Sequence, residues 1–249
     1  MRLRTTTTVQ AALPSRDEPE LRHHNDAPAG GRGTSASLAP ARLLPAEREP
    51  VTFVDPRLAA QLRGVLSALA EGQTVQRTPQ RIVLTGVNTP ADVPLLAATM
   101  AITCASSGYR VLLVDGNLHQ PTLHETFGVP NDFGLVSLLV SSGSPHLLPQ
   151  ATMAPNLAVM TTGPCVSNAA SLLTRERVFH RLEPLANVFD CIIVDCTSMP
   201  PALVSQISAG ADHVVIAAKE HVSSMRDLAN MVGVLRGDGF ASPSVLMIQ

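Results

Sequence analysis

Two aspartates stand where an α/β protein commonly places its chemistry. Asp115 and Asp195 each end a short apolar run, "RVLLVD" and "CIIVD". An aspartate at the end of a parallel strand can hold Mg²⁺ or orient a water molecule, but it can also cap the helix or turn that follows. Both interpretations stay open for each residue taken alone. Together with the turn after "RIVLT", they suggest the three parts of a phosphate-binding site, a loop and two carboxylates.

That turn lies within Leu84–Ala101, "LTGVNTPADVPLLAATMA", between an apolar strand predicted to end at Thr85 and a helix rich in Leu and Ala. It has the length of a phosphate-binding loop. Such loops bind phosphate through successive backbone N–H groups at a helix N-terminus and through a lysine. The turn contains neither a lysine nor a run of glycines. The only lysine of the chain, Lys219, follows a later strand and is predicted to be a surface residue.

A regular alternation of apolar runs and helical segments begins at Arg81. Strands without polar alternation are buried on both faces, which is typical of a parallel sheet covered by helices. Right-handed crossovers then predict the α/β class, with a doubly wound, mostly parallel sheet flanked by helices. The ligand crevice of such a fold lies at the carboxyl ends of the strands, where Thr85, Asp115 and Asp195 fall. The predicted strands are "RIVLT", "RVLLVD", "NLAVMTT", "CIIVD", "HVVIAA" and "SVLMI".

Composition divides the chain into a tail and one domain. Residues 1–50 are rich in Pro, Ala, Arg, Ser and Gly and contain no aromatic residue, which predicts a disordered tail. Residues 51–249 are predicted to form a single domain that begins with a helix over 56–71. The net charge of -2 does not favour binding to nucleic acid. No apolar run reaches the roughly 18 residues of a membrane span, and the cysteines form no CxxC pair, so we expect a cytoplasmic protein.

Three longer motifs carry a family resemblance. "RVLLVDGNLHQPTLHETFGVPNDFGLVSLL" contains a strand ending in Asp and then "FG" and "GL", while "NLAVMTTGPCVSNAASLL" and "FDCIIVDCTSMP" follow later. These closely resemble the bacterial tyrosine kinases that work with polysaccharide co-polymerases in capsule and exopolysaccharide export, where the later motifs read "GPxPPNPAELL" and "FDxVIIDTPP". The resemblance covers residues 55–249. It implies a P-loop NTPase-like fold, related more widely to the MinD/ParA-type ATPases.

The same alignment places unsuitable residues at the phosphate-contacting positions. The family's loop resembles "TSxxPGEGKSTTAANLA" and overlays Thr85–Ala101 without a gap. Its glycines fall on Pro90 and Asp92, its phosphate-binding Lys on Val93, and its Mg²⁺-binding Ser/Thr on Pro94. Proline removes an N–H donor, valine removes a charge, and aspartate adds a charge that costs about 1–4 kcal/mol beside a phosphate oxygen. We interpret the segment as a vestigial phosphate loop of Thr89, Pro90, Ala91, Asp92, Val93 and Pro94.

Other features of the family are altered as well. The family's second acid is Asn117 here, and its Arg is His119. Its oligomerisation motif, ExxRxxR, overlays Arg57–Arg63, where only Arg63 matches. The family's terminal tyrosine cluster has no counterpart, and the sole tyrosine, Tyr109, precedes the second strand. Since only the two strand-terminal aspartates are kept, the resemblance implies vestigial catalytic positions.

Simpler roles are predicted for several of the remaining polar residues. Asp92 is predicted to cap the helix that follows it, and Pro94 suits a first helical turn. His119 and His124 are five residues apart, a poor spacing for a metal site on a helix, so they are predicted at the surface and no metal is expected. Asn168 matches a family segment that could face a nucleotide base, but it could equally fix a loop.

Three functions are compatible with this pattern. The first is a non-catalytic cytoplasmic component or regulator of bacterial surface polysaccharide (exopolysaccharide, capsule or holdfast) biosynthesis and export. It needs no cofactor and partners a membrane polysaccharide co-polymerase, which recruits it to the inner membrane. The second is an active protein-tyrosine kinase or ATPase whose atypical site binds ATP and Mg²⁺ through Asp115, Asp195 and Lys219. The third is a MinD/ParA-like positioning ATPase. A homo-oligomer stays open in each case.

Overall fold

The computed structural model describes the greater part of the chain after residue 78. The predicted tail 1–50, the predicted helix 56–71, the loop residues 89–93 and Asn168 lie outside the described residues. The described ranges are 79–87, 94–141, 144–164, 169–173, 177–219, 221–240 and 243–248.

Within the described ranges seven strands form one sheet, and six of them are predicted from the sequence. They are β1 (Gln80–Val87), β2 (Val111–Asp115), β3 (Gln150–Ala151), β4 (Leu157–Met160), β5 (Cys191–Cys196), β6 (His213–Lys219) and β7 (Ser244–Ile248). Their order across the sheet is β3-β4-β2-β5-β1-β6-β7. Every neighbouring pair is parallel except β3 with β4. The sheet is therefore mostly parallel, as predicted. The short edge strand β3, which the sequence does not predict, is antiparallel to β4.

Helices cover both faces of this sheet. The α-helices are α1 (Pro94–Ser106), α2 (Leu123–Phe127), α3 (Leu135–Val140), α4 (Ala169–Leu172), α5 (Arg177–Leu182), α6 (Pro201–Ser208) and α7 (Met225–Gly237). Alternate strand residues enter two separate cores: Ile82 and Leu84 belong to the core that includes α1, whereas Val83 belongs to the core that includes α3, α5, α6 and α7. This arrangement confirms the doubly wound α/β fold. None of the described helices is long and apolar enough to cross a membrane.

Two Arg–Asp pairs fix the strand register at the amino-terminal ends of the strands. Asp212, just before β6, accepts the backbone N–H of Arg81 at 2.9 Å and its guanidinium at 2.8 and 3.1 Å. Asp190, just before β5, accepts the backbone N–H of Arg110 at 2.9 Å and its guanidinium at 2.7 and 3.2 Å. Because each aspartate binds both backbone and side chain, it aligns the start of its own strand with a neighbouring one.

The loop before α3 packs against the end of β4 through a glycine. The N–H groups of Leu135 and Val136 donate to the carbonyls of Thr161 and Thr162, each at 2.8 Å. A Cβ at position 134 would lie 1.9 Å from the carbonyl oxygen of Thr161. Gly134 is therefore required by close approach of two backbone segments.

Replacing Gly134 with alanine should destabilise the fold strongly, because the added methyl group overlaps backbone atoms that cannot move aside cheaply. We expect the free energy of unfolding to fall by at least about 2 kcal/mol, as in other overpacked sites. Gly233→Ala is the matched control, since a Cβ at this position of α7 has no neighbour within 4 Å. It should gain up to about 1 kcal/mol, because alanine favours a helix. Urea denaturation measures both variants, and equal stabilities would contradict this packing.

Candidate functional site

Asp115, the last residue of β2, and Asp195, the last but one of β5, lie side by side at the carboxyl ends of the strands. The parallel register of β2 and β5 pairs Asp115 with Asp195, and both residues are completely buried. In-register residues of neighbouring strands point to the same face, so the two carboxylates interact electrostatically. Thr85 is also buried, and its hydroxyl donates to the carbonyl of Cys196 at 3.5 Å. The structure therefore brings Thr85, Asp115 and Asp195 to one edge.

Asp115 binds the backbone that follows it. Its Oδ1 accepts the N–H of Asn117 at 3.0 Å, and its Oδ2 accepts those of Thr122 and Leu123, each at 3.1 Å. Leu123 begins α2, so the carboxylate satisfies N–H groups that have no partner within the helix. Burial raises the pKa of Asp115, and these backbone hydrogen bonds oppose the rise. Of the two roles that the sequence leaves open, these contacts favour capping.

Asp195 has one satisfied and one unsatisfied carboxylate oxygen. Its Oδ1 accepts the backbone N–H of Thr197 at 2.9 Å and the hydroxyl of the same residue at 2.7 Å. Its Oδ2 is buried and has no hydrogen-bond partner among the residues that the structure describes. Burial raises the pKa of Asp195 from 3.8 to about 7. The charge of Asp115 adds to the rise, and hydrogen bonding from Thr197 and from the side chain of Asn117 opposes it. A large share of Asp195 is therefore protonated near neutral pH.

Asn117 joins the loop after β2 to the loop after β5. Its buried side chain accepts the N–H of Ser198 through Oδ1 at 3.0 Å, and Nδ2 donates to Oγ1 of Thr197 at 3.5 Å. The N–H of Gly116 donates to the carbonyl of Asp195 at 2.9 Å. A Cβ at position 116 would lie 2.6 Å from that carbonyl oxygen, so the approach requires glycine. The two loops of the site are thus bound to each other directly.

The entry to the vestigial phosphate loop differs from the prediction at one point. β1 continues to Val87 rather than ending at Thr85, because Gly86 and Val87 extend the parallel pairing with β6. The carbonyl of Val87 accepts the hydroxyl of Ser223 at 2.6 Å, and that hydroxyl oxygen accepts the N–H of Lys219 at 2.8 Å. Lys219 is half-buried at the end of β6. The segment after β6 therefore holds the end of β1.

Most of the vestigial loop cannot be compared with its prediction. Thr89, Pro90, Ala91, Asp92 and Val93 lie outside the described residues, so the cap by Asp92 stays a prediction. Pro94 is the first residue of α1. Proline is tolerated there because the N–H groups of a first helical turn have no partner within the helix.

The two histidines differ in their surroundings. His119 is exposed, as predicted. His124 is less exposed than a surface position usually is: its side chain is 25% exposed, and within the described ranges its buried Nδ1 has no hydrogen-bond partner. The reason is that Asp115 holds the first turn of α2 against the sheet. No group of three His, Cys, Asp or Glu side chains able to hold a metal occurs in the described part of the chain.

One residue of the site is missed by sequence reasoning. Thr197 supplies two of the hydrogen bonds to Asp195, yet the sequence shows it only as a departure from the family's "TPP". A signal was nevertheless present, since "DCT" places a hydroxyl residue two positions after an aspartate. At that spacing an aspartate side chain accepts the backbone N–H of a turn.

Because Asp195 is buried, we expect the free energy of unfolding to fall as the pH rises. Its pKa is about 7 in the folded state and 3.8 as an ordinary carboxyl, so between these values the folded state holds a proton that the unfolded state lacks. This contribution is fully present below about pH 4 and is lost as the pH rises through about 7. Its slope is at most about 1.4 kcal/mol per pH unit.

Asp195→Asn should flatten this part of the curve and raise the melting temperature at pH 8, because position 195 then buries no charge. Asp132→Asn, a change of the same chemistry at an exposed position, is the matched control. Thermal unfolding of both variants and of the wild type from pH 4 to pH 8 measures the effect. Identical slopes in all three proteins would contradict it.

Known proteins with similar sequences are tyrosine kinases, although no family model matches the chain. The putative tyrosine-protein kinase CapB of Staphylococcus aureus is 26% identical over 152 residues, which are 61% of this chain and 66% of CapB. The tyrosine-protein kinase YwqD of Bacillus subtilis (strain 168) is 28% identical over 158 residues, which are 63% of this chain and 65% of YwqD. The chain therefore matches slightly less than two thirds of the length of each.

Solved structures show the same relationship at the level of the fold. The kinase domain of the Escherichia coli tyrosine kinase ETK matches with a TM-score of 0.68 and 21% identity, over 84% of each chain. The septum site-determining protein MinD of Pyrococcus horikoshii, in complex with Mg-ADP, matches with a TM-score of 0.53 and 17% identity, over 67% of this chain and 68% of MinD. The chain is a homologue of the bacterial tyrosine-protein kinases and has the fold of the MinD- and ParA-type P-loop NTPases.

Proposed function

We propose that this chain is a non-catalytic relative of the tyrosine kinases that serves in the biosynthesis and export of a bacterial surface polysaccharide. It acts in the cytoplasm as a component or regulator that binds a membrane polysaccharide co-polymerase, which recruits it to the inner membrane. The observation that carries the non-catalytic part is the state of Asp115, whose carboxylate is occupied by three backbone N–H groups. The polysaccharide context is supported by the motifs shared with the capsule and exopolysaccharide kinases.

The residues of the site do not fit a complex of Mg²⁺ with a nucleotide. Mg²⁺ prefers an octahedral shell of oxygen ligands from carboxylates, water and phosphates. Asp115 already accepts hydrogen bonds on both oxygens, and Asn117 offers an amide that is engaged with the loop after β5. Val93 and Pro94 supply neither the charge nor the hydroxyl that a phosphate loop needs. Among the residues that the structure describes, only Oδ2 of Asp195 is left for a cation.

The contacts between the loops favour a constant surface over a nucleotide switch. Switch loops of NTPases are ordered by the γ-phosphate and its Mg²⁺ and are released on hydrolysis. Here protein atoms bind the loops to one another, through Asn117 and Ser198 and through Ser223 and Val87. A surface held in this way suits a binding partner whose conformation does not depend on ATP.

One observation favours a second function, an active kinase or ATPase with an atypical site. Within the described ranges Oδ2 of Asp195 has no hydrogen-bond partner, and the pKa of this residue is about 7. These are properties of a carboxyl group that can accept a proton near neutral pH. Such an enzyme requires ATP and Mg²⁺. Loss of activity in Asp195→Ala, in protein that keeps the wild-type fold by circular dichroism, would support it.

Isothermal titration of the full chain with Mg·ATP at millimolar concentrations is expected to give no saturable heat, because the loop lacks its lysine. A positive control is a loop-restored variant that combines Pro90→Gly, Asp92→Gly, Val93→Lys and Pro94→Ser. It should gain measurable affinity, since backbone donors and a positive charge return. Saturable binding by the wild type, or incorporation of labelled phosphate that Asp195→Ala abolishes, would contradict the non-catalytic function.

The partner can be tested independently of the nucleotide. Tagged full-length chain is expected to retain a membrane polysaccharide co-polymerase from detergent-solubilised membranes, to the same extent in EDTA and in Mg·ATP. Equal retention follows from a surface that the nucleotide does not alter. Retention that appears only with Mg·ATP, or the absence of any co-polymerase among the retained proteins, would contradict the proposal.

A further inference from the structure

Asn117 lies beside two buried carboxylates and is itself uncharged. Asp115 and Asp195 are in register and completely buried, and Asn117 is 3% exposed. Its Oδ1 accepts the N–H of Ser198 at 3.0 Å, and its Nδ2 donates to Oγ1 of Thr197 at 3.5 Å. The same Oγ1 donates to Oδ1 of Asp195 at 2.7 Å. One amide therefore connects the loops after β2 and β5 and, through Thr197, the second carboxylate.

An amide and a carboxylate have nearly the same shape but make different demands on this site. A carboxylate at position 117 could still accept the N–H of Ser198, but it would have no N–H to offer Thr197. It would also add a negative charge beside Asp115 and the partly ionised Asp195. Like charges repel strongly in a buried site, because water does not screen them. Buried carboxylates grouped in this way are usually held together by a cation.

We propose that Asn117 takes the place of a divalent cation at this edge of the sheet. Its amide ties the two loops together, so that they are assembled without Mg²⁺. The inference rests on the proposed non-catalytic function and names the residue that replaces the metal. It also means that one substitution makes the chain dependent on a cation. In Asn117→Asp, the new carboxylate and Oδ2 of Asp195 offer oxygen ligands to Mg²⁺ or Mn²⁺.

Thermal unfolding of the full-length wild type and three variants, without nucleotide, tests this proposal. The wild type should melt at the same temperature in EDTA and in millimolar MgCl₂. Asn117→Asp should melt about 5–10 °C lower in EDTA and regain most of that loss in millimolar MgCl₂ or MnCl₂. Asn117→Ala should also be destabilised but should not respond to either cation. Asn230→Asp, the same change on the exposed face of α7, should match the wild type.

Two results would overturn the proposal. The first is a wild type that EDTA destabilises and Mg²⁺ restores. The second is an Asn117→Asp variant whose melting temperature neither falls in EDTA nor responds to the cations. If Asn117→Asp does not fold, hydrogen exchange of the wild type in EDTA decides the matter. The amide proton of Ser198 should be protected, because it is donated to Asn117. Rapid exchange of this proton would equally overturn the proposal.

The failure of this proposal can be told apart from the failure of the proposed function. The melting experiment contains no ATP and no partner, so it reports only on the role of Asn117. A wild type that binds Mg·ATP tightly contradicts the non-catalytic function. A wild type that binds no ATP, together with an Asn117→Asp variant that is stable in EDTA, contradicts only the inference about Asn117.

Discussion

The burial of two neighbouring carboxylates is the constraint on which the carboxyl edge of the sheet depends. Removing a carboxylate from water costs several kcal/mol unless hydrogen bonds or an opposite charge compensate it. Among the described residues, five hydrogen-bond donors do so. Four of them are backbone N–H groups, so the carboxylates determine the path of both loops. The donors are the N–H groups of Asn117, Thr122, Leu123 and Thr197 and the hydroxyl of Thr197.

These carboxylates meet only if β2 and β5 keep their register, and the opposite edge of the sheet provides that alignment. Asp190 and Arg110 join the starts of β5 and β2 through backbone and side-chain hydrogen bonds. The pair is partly exposed, so its own contribution to stability is small. Its importance lies in the register, because a slip of one residue would turn Asp115 or Asp195 to the other face of the sheet. Contacts at both ends of the strands thus determine the geometry of one site.

The sequence predicts the strands well and the loops poorly, for physical reasons. A buried parallel strand leaves a continuous apolar run in the sequence. For this reason six strands are visible there, together with the aspartates near the ends of β2 and β5. β3 has two residues and leaves no such run. The sequence cannot choose between metal binding and capping for Asp115, since the choice depends on N–H groups of Thr122 and Leu123 that reach it only in the folded loop. The partial burial of His124 is not visible in the sequence because α2 has five residues, too few for helical periodicity to show.

The two aspartates are retained for different reasons. Losing the carboxylate of Asp115 would leave three N–H groups without their acceptor, at about 1–3 kcal/mol for each that stays buried, so the fold alone explains this residue. The fold does not explain Asp195 equally well. Thr197 needs only an acceptor, which the carbonyl of an asparagine would supply without burying a charge. Oδ2 of Asp195, which has no hydrogen-bond partner among the described residues, is therefore the atom at the carboxyl ends of the strands that suggests chemistry. The role of this atom distinguishes the catalytic from the non-catalytic function.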